Sequence, residues 1–256
     1  MEISNKTAFI TGGASGLGLA TAKNFVASGG NVFLFDLNEK ALEIAATELG
    51  DKVRWYAGDV SEEAAVKEAI ERSKEAFGTI HINVNSAGIG GASRTVGRNG
   101  PMPLEKFEHI IRVNLIGTFN VLRLCAEVMQ ENPPQTEDQE RGVIVNVASI
   151  AAFDGQTGQA GYAASKGGIA AMTLPIARDL AKRGVRVMTI APGVFETPLL
   201  ASAPDEVKEP LIAITQFPKR LGNPSEFGEE VAHIVRCGYL NGEVIRLDAG
   251  IRMPAI

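Results

Sequence analysis

The strongest constraint on this chain is an alternation. Seven short runs rich in β-branched and aromatic residues are separated by longer stretches of helical periodicity. The runs are TAFIT (7–11), NVFLFD (31–36), VRWYAG (53–58), INVNSA (82–87), GVIVNVAS (142–149), VRVMTIA (185–191) and EVIRLD (243–248). Most are continuously apolar rather than alternating, the signature of strands buried on both faces of a parallel sheet covered by helices. Between them, segments such as ALEIAATEL and EEAAVKEAIERSKEAF carry an apolar face; in the second, Ala65, Ala69 and Phe77 can face a sheet while Glu and Lys point outward. Alternating β and α predicts an α/β fold: a doubly wound, mostly parallel seven-stranded sheet with helices on both faces and right-handed crossovers. No repeat or linker interrupts the pattern, so residues 1–256 read as a single domain.

Composition narrows the function. With 256 residues and 45% apolar content, the chain can bury a large core without disulfides or metals. A net charge of -5 argues against a nucleic-acid partner, which needs a basic face. Cys125 and Cys237 lie far apart, offer neither a disulfide framework nor zinc spacing, and fit a reducing compartment. The opening MEISNKTAFITGG lacks a basic region followed by an apolar one, and no run reaches the roughly 18 apolar residues of a membrane span. The expectation is a soluble, cytoplasmic protein with no membrane partner. His81, His109 and His233 are scattered and read as structural or surface groups. A zinc-dependent alcohol dehydrogenase is disfavoured, and no metal is expected.

Three segments break the periodicity. GIGGASRTVGRNGPMP (88–103) is long and Gly-rich. ENPPQTEDQERG (131–142) is polar and reads as a mobile surface loop. PGVFETPLLASAPDEVKEPL (192–211) is apolar for a loop. Long loops in a compact domain often serve function.

The first βα turn, TGGASGLG, places Gly12, Gly16 and Gly18 in GxxxGxG spacing between a strand and a helix. Glycine allows a tight turn and close backbone approach to a pyrophosphate, at which the helix aims its first amides. Ser15 and Leu17 lie in the same turn. The second strand ends at Asp36, 18 residues after Gly18. A carboxylate there accepts hydrogen bonds from ribose hydroxyls and repels a 2′-phosphate. Leu37 follows, and no Lys or Arg lies in the turn, so NAD is favoured over NADP.

The chain has three tyrosines, and Tyr162 stands four residues before Lys166 in GYAASKGG. On a helix the two project from one face. An ammonium beside a phenol, whose free pKa is about 10, favours the phenolate and creates an acid/base usable near neutrality. The small neighbours leave room for a ligand or another helix. Ser149, thirteen residues earlier at the end of a strand, can donate to a substrate oxygen. Gln156 and Gln159, just before Tyr162, are candidates for the substrate wall.

Together, TGGASGLG, NSAG (85–88), Asn114 in RVNLIGTFN, Ser149, YAASK (162–166) and PG (192–193) resemble the short-chain dehydrogenase/reductase family across essentially the whole chain. The resemblance implies a single-domain Rossmann fold. It implies Ser149 as substrate-orienting residue, Tyr162 as acid/base, Lys166 as pKa-setting residue and ribose ligand, and Asn114 as support for a proton relay. It places Asp59 and Val60 at the adenine and Asn85, Ser86 and Gly88 along the cofactor. Pro192, Phe195 and Thr197 fall near the nicotinamide. Ser86 stands where many members carry a second Asn, and Glu196 where a small residue is expected. ASIAAFDGQTGQAGYAASKGGIAAMTLPIARDLA, FPKRLGNP and LNGEVIRLDAGIRM resemble one subgroup, the type 2 3-hydroxyacyl-CoA dehydrogenases. That resemblance implies NAD-dependent, reversible oxidation of short or branched 3-hydroxyacyl-CoA in fatty acid metabolism. Two alternatives stay open: a dehydrogenase of another secondary alcohol such as a hydroxysteroid, or a non-catalytic NAD(H)-sensing protein. Arg94 and Arg98, the cations of the 88–103 loop, are candidates for contact with coenzyme A phosphates. Small residues Ala163, Gly167, Ala170 and Ala171 on the Tyr162 helix suit close helix pairing, and the family resemblance implies a homotetramer.

Overall fold

The computed structural model describes residues 1–197, Leu200 and 205–255. Positions 198, 199 and 201–204 of the apolar 192–211 segment lie outside the described residues.

All seven expected strands form, each within two residues of the sequence-derived bounds. They are β1 (Thr7–Thr11), β2 (Asn31–Asp36), β3 (Val53–Ala57), β4 (Ile82–Asn85), β7 (Gly142–Val147), β8 (Val185–Pro192) and β9 (Val244–Leu247). They make one sheet in the order β3-β2-β1-β4-β7-β8-β9. Every pairing in it is parallel. The order reverses between β1 and β4, and ligands of open α/β sheets bind beyond the strand ends at such a switch point.

Continuous apolar runs are needed because both faces are covered. On one face Ile10, Leu34 and Val145 pack against α1 (Gly16–Ala27), α2 (Glu39–Leu49) and the helix Pro224–Arg236, here α8. On the other, Phe9, Phe33 and Ile144 meet α3 (Glu63–Phe77) and α5 (Gly117–Met129). Phe9 stacks on Phe33 with ring centroids 5.5 Å apart. The long helix α6 (Ala160–Leu180) lies against β8, with Thr173 Oγ1 bonded to Thr189 Oγ1 at 2.6 Å.

The 88–103 segment is not wholly irregular. It folds back as a two-stranded antiparallel ribbon, β5 (Val96–Gly97) with β6 (Gly100–Pro101). Beyond it, α4 (Leu104–Ile111) runs into α5 through a wider π-type turn, Arg112–Ile116. Helix α7 (Asp205–Ile214) precedes α8. Among the described residues no helix is long and apolar enough to cross a membrane.

The 131–142 segment corrects an expectation: it is tied down at both ends. Asn132 is buried and donates to the carbonyls of Ile80 (2.8 Å) and Arg141 (3.0 Å). Glu140 is buried and pairs with Arg186 of β8, Oε1 to Nη2 at 2.7 Å. The rest of the guanidinium donates to the carbonyls of Ile234, Leu240 and Val235 at 2.8–3.0 Å. Polarity marks the segment as surface loop, but a charge can be buried when all its donors are met. Removing one member of a buried pair costs about 3–5 kcal/mol. Glu140→Ala is therefore expected to lower the urea midpoint sharply at unchanged m-value; a midpoint equal to wild type would show that the pair contributes nothing to stability.

Candidate active site

A cleft of about 640 Å³ opens at the carboxyl ends of the central strands. Its floor is the Gly-rich turn, and glycine is there for contact rather than flexibility alone. A Cβ on Gly18 would lie 2.2 Å from the Gly12 carbonyl oxygen, and one on Gly12 would lie 2.8 Å from the Ala87 nitrogen. Gly12 also has φ of 63°. The turn is thus pressed between its own helix and the end of β4. The first amides of α1 face the cleft without help from Ser15, whose side chain makes no capping bond. Thr11 Oγ1 accepts from Ala87 N at 3.1 Å, fastening β1 to the β4 loop.

Asp36 ends β2 in the same cleft. Its Oδ2 accepts from Ala14 N at 3.2 Å and its Oδ1 from Asn38 N at 3.1 Å, so the carboxylate is fixed over the turn. Asp59 and Val60 form the next wall. Asp59 Oδ1 accepts from Ser61 N at 2.8 Å, and Asn120 Nδ2 donates to the Val60 carbonyl at 2.8 Å. Among the described residues lining the cleft, Lys166 is the sole cation. These features suit a dinucleotide: amides for its phosphates and a carboxylate for a ribose.

At the far end, Ser149, Tyr162 and Lys166 converge. Ser149 follows β7 and caps the 3₁₀ turn Ile150–Ala152, accepting from Ala151 N at 3.1 Å. Tyr162 and Ser149 both line this end of the cleft, and the Ser149 hydroxyl acts on the phenol. Lys166 is buried, donates to the Val147 carbonyl at 2.8 Å, and lies 5.9 Å from the centroid of the Tyr162 ring. Ser86, Gly88, Pro192, Phe195 and Thr197 also line the cleft. Gly88 packs beside Lys166 Nζ, 3.4 Å from the position of a Cβ. Phe195 is anchored edge-on against Phe227, centroids 6.3 Å apart.

Several expected site residues stand elsewhere. Gly18 does not line the cleft; its place is the contact with Gly12. Asn85 is buried inside the sheet, donating to Asn83 Oδ1 at 2.8 Å and Asn146 Oδ1 at 2.9 Å. Asn114 is buried in the π turn. Its Oδ1 accepts from Ile89 N at 2.8 Å, and its Nδ2 donates to Ile89 O and Ser165 Oγ, both at 3.0 Å. Its side chain therefore fixes the loop beside Lys166 from behind. Gln159 and Gln156 are also displaced from the cleft wall. Gln159 Oε1 accepts from Gln156 N at 3.0 Å, and Gln156 Nε2 donates to the Pro254 carbonyl at 3.3 Å. Glu196 is exposed and is not among the lining residues.

Two of the small residues of α6 serve contacts within the chain, while Ala171 is exposed. A Cβ on Gly168 would strike Leu115 at 2.8 Å, and Ala163 Cβ lies 3.0 Å from the place of a Gly155 Cβ. Residues that the sequence did not mark, Thr11, Asn146 and Ile89, hold the site through buried hydrogen bonds. Among the described residues no three His, Cys, Asp or Glu are gathered as a metal site. His81 Nδ1 accepts from Thr7 N at 3.2 Å, and burial lowers its pKa to about 4.

The expected depression of the Tyr162 phenol is not what the protein's own groups produce. Burial raises its pKa, and the influence of Ser149 only partly offsets that. Burial also lowers the Lys166 ammonium to about 8.

A model described as short chain dehydrogenase matches residues 6–208. The chain belongs to the short-chain dehydrogenase family and is a dehydrogenase. Within the family, it is 51% identical over 254 residues to the 3-hydroxyacyl-CoA dehydrogenase type-2 of Bos taurus, covering 98% of this chain and 97% of that one. The crystal structure of 3-hydroxyacyl-CoA dehydrogenase type-2 from Mycobacterium avium matches at a TM-score of 0.94 and 39% identity, over 98% of each chain. The 3-ketoacyl-(acyl-carrier-protein) reductase from Brucella melitensis, complexed with NADH, matches at 0.86 and 30% identity, over 98% of this chain and 100% of that one.

The lysine shift has a sign that can be measured. In the unfolded chain Lys166 returns to a pKa near 10.4, so unfolding takes up a proton between about pH 8 and 10. The folded state is penalised in full below about pH 8, and the penalty fades as pH rises. Relative to Lys166→Met, wild type is expected to gain stability between pH 8 and 10 in urea titrations. A pH-independent difference would mean that the ammonium is not perturbed.

Proposed function

We propose that this chain oxidises the secondary alcohol of a short or branched 3-hydroxyacyl-CoA to the 3-ketone, reversibly and with NAD. The observation that carries the reading is the convergence of Ser149, Tyr162 and Lys166 beside a nucleotide-type turn. The type-2 relatives support the choice of substrate. A bound NAD would supply the hydride acceptor and, in its oxidised form, a cationic ring that favours the Tyr162 phenolate.

The chain's own residues do the rest. Gly12, Gly16 and the first amides of α1 hold the phosphates. Asp36 takes the adenosine ribose, and a 2′-phosphate there would face a carboxylate, Lys166 being the sole cation among the described residues that line the cleft. Ser149 donates to the substrate oxygen and orients it. Tyr162 takes the hydroxyl proton during oxidation and returns it in reduction. Lys166 holds the nicotinamide ribose. Its positive charge offsets part of the burial that disfavours the phenolate. Asn114 keeps Ile89 and Gly88 against Lys166, and so supports the path by which the proton leaves. The relative complexed with NADH supports nicotinamide chemistry.

Arg94, just before the ribbon, and Arg98, in its turn, are exposed and are the proposed contacts for coenzyme A phosphates. Assembly as a homotetramer is part of the proposal. It is supported by Ile116 and Phe119 on the π turn and α5, and by Leu174 on α6, large apolar side chains at 44–52% exposure.

Two measurements test this reading. Tyr162→Phe keeps the ring but removes the proton acceptor, so kcat on 3-hydroxybutyryl-CoA is expected to fall by about 10²–10⁴-fold. NADH binding, followed by fluorescence, is expected to stay unchanged. Wild-type turnover in the variant would remove Tyr162 from the chemistry. Separately, Asp36→Ala combined with Leu37→Arg is expected to move preference toward NADP; a wild-type chain that already uses both cofactors equally would refute the role of Asp36.

A further inference from the structure

The residues after β9 form a strap across the segment that joins Ser149 to Tyr162. Arg246 is its hub. The guanidinium, 21% exposed, donates to Asp154 Oδ2 at 2.6 Å, Asp248 Oδ2 at 2.8 Å and the Ile251 carbonyl at 2.9 Å. It also covers the Phe153 ring, 5.4 Å from the centroid. Further along, Thr157 donates to the Ala255 carbonyl from N at 3.1 Å and from Oγ1 at 2.6 Å, and Gln156 reaches the Pro254 carbonyl. From the opposite side Ser93 N donates to the Gly158 carbonyl at 2.8 Å. Residues 153–159 are thus held between the 88–103 segment and the strap.

Internally that segment has turn contacts: Asp154 N donates to the Ile150 carbonyl at 2.9 Å, and Gln156 and Gln159 bond to one another, Gln159 N to the Gln156 carbonyl at 3.0 Å. Past the Ile150–Ala152 turn it has no regular structure until α6, and Gly158 has φ of 85°. Around Thr157 and Gly158 its backbone groups are met from outside, by the Ala255 carbonyl and Ser93 N. The Arg246–Asp154 pair is suited to the task because both groups are largely sheltered, at 21% and 18% exposure, and planar guanidinium fixes orientation as well as distance. At its other end the strap begins at Asp248, which packs on Gly193 of the cleft wall, 2.9 Å from a Cβ there to Asp248 Cα.

We propose that Arg246 is a positioning residue: through Asp154 it fixes residues 153–159 and so sets the placement of Ser149 relative to Tyr162 for the substrate oxygen. Both groups must meet one oxygen at once, and a displacement of about 1 Å can cost about 10²-fold in rate. The proposal rests on the dehydrogenase reading for its catalytic consequence but not for the strap itself.

The test uses the full chain and the variants Asp154→Asn, Asp154→Glu and Arg246→Met. Hydrogen exchange needs no substrate: Asp154→Asn is expected to speed exchange of amides 153–159 roughly tenfold while the Gly12–Gly18 turn keeps its protection. On the secondary alcohol that wild type oxidises, kcat/KM is expected to fall about 10–100-fold, with NADH affinity unchanged. Asp154→Glu, which keeps the carboxylate, is expected to recover most of both effects. Unchanged exchange overturns the strap. Faster exchange with wild-type kcat/KM overturns the positioning role, and a parallel loss of NADH affinity moves the role to the cofactor. If Arg246→Met does not fold, Asp154→Asn decides alone. Failure of wild type on acyl-CoA counts against the substrate assignment, while exchange still decides the strap.

Discussion

The molecule depends on one close approach. At the switch point, Gly18 of α1 meets the Gly12 carbonyl, and Gly12 meets the backbone after β4, each with no space for a methyl group. This contact places a helix N-terminus directly over the central strands. It makes the phosphate-type cradle and the reversal of strand order the same feature. Asp36 is then held over the turn by Ala14 N, so the second strand is registered to the first helix as well.

Below the cleft, a row of buried polar groups crosses the sheet. Thr11 is level with Asn85, Asn85 with Asn146, and Asn146 with Thr189. These residues do not line the cleft. Within the row Asn85 bonds to Asn146, while Thr11 fastens the loop after β4 at Ala87 and Thr189 bonds to Thr173 of α6, in an interior where such bonds are strong and costly to break. Asn114 does the same from the helix side. The reacting groups are few, and most of the polar residues around them serve to locate those few.

The strands were legible because burial on both faces writes itself as uninterrupted apolar runs. The Gly-rich turn and the Tyr162–Lys166 spacing were legible because each chemistry demands particular residues at particular intervals. Other features were hidden for equally physical reasons. Glu140 sits in a polar stretch, and its partner Arg186 is 46 residues away, so nothing local announces a buried pair. Asn85 lies in a cofactor motif, yet only its chain neighbours reach the cleft. Gln156 and Gln159 were placed by proximity to Tyr162, but a seven-residue irregular segment can turn them toward the chain's last residues. The phenol's ionisation was read from one neighbour, whereas burial, which sequence does not show, outweighs it.

The parallel sheet also bears on how the protein comes into being. Thr11 and Ala87, which fasten the cradle, are 76 residues apart, and every strand of the sheet is joined to its neighbour by a crossover rather than a hairpin. Entropy of loop closure must be met before such contacts repay it, which slows assembly and makes it collective. The site therefore has no local precursor: no hairpin or helix pair contains it. Its appearance during folding marks completion of the central sheet, and ligand binding reports on the whole domain rather than on a part.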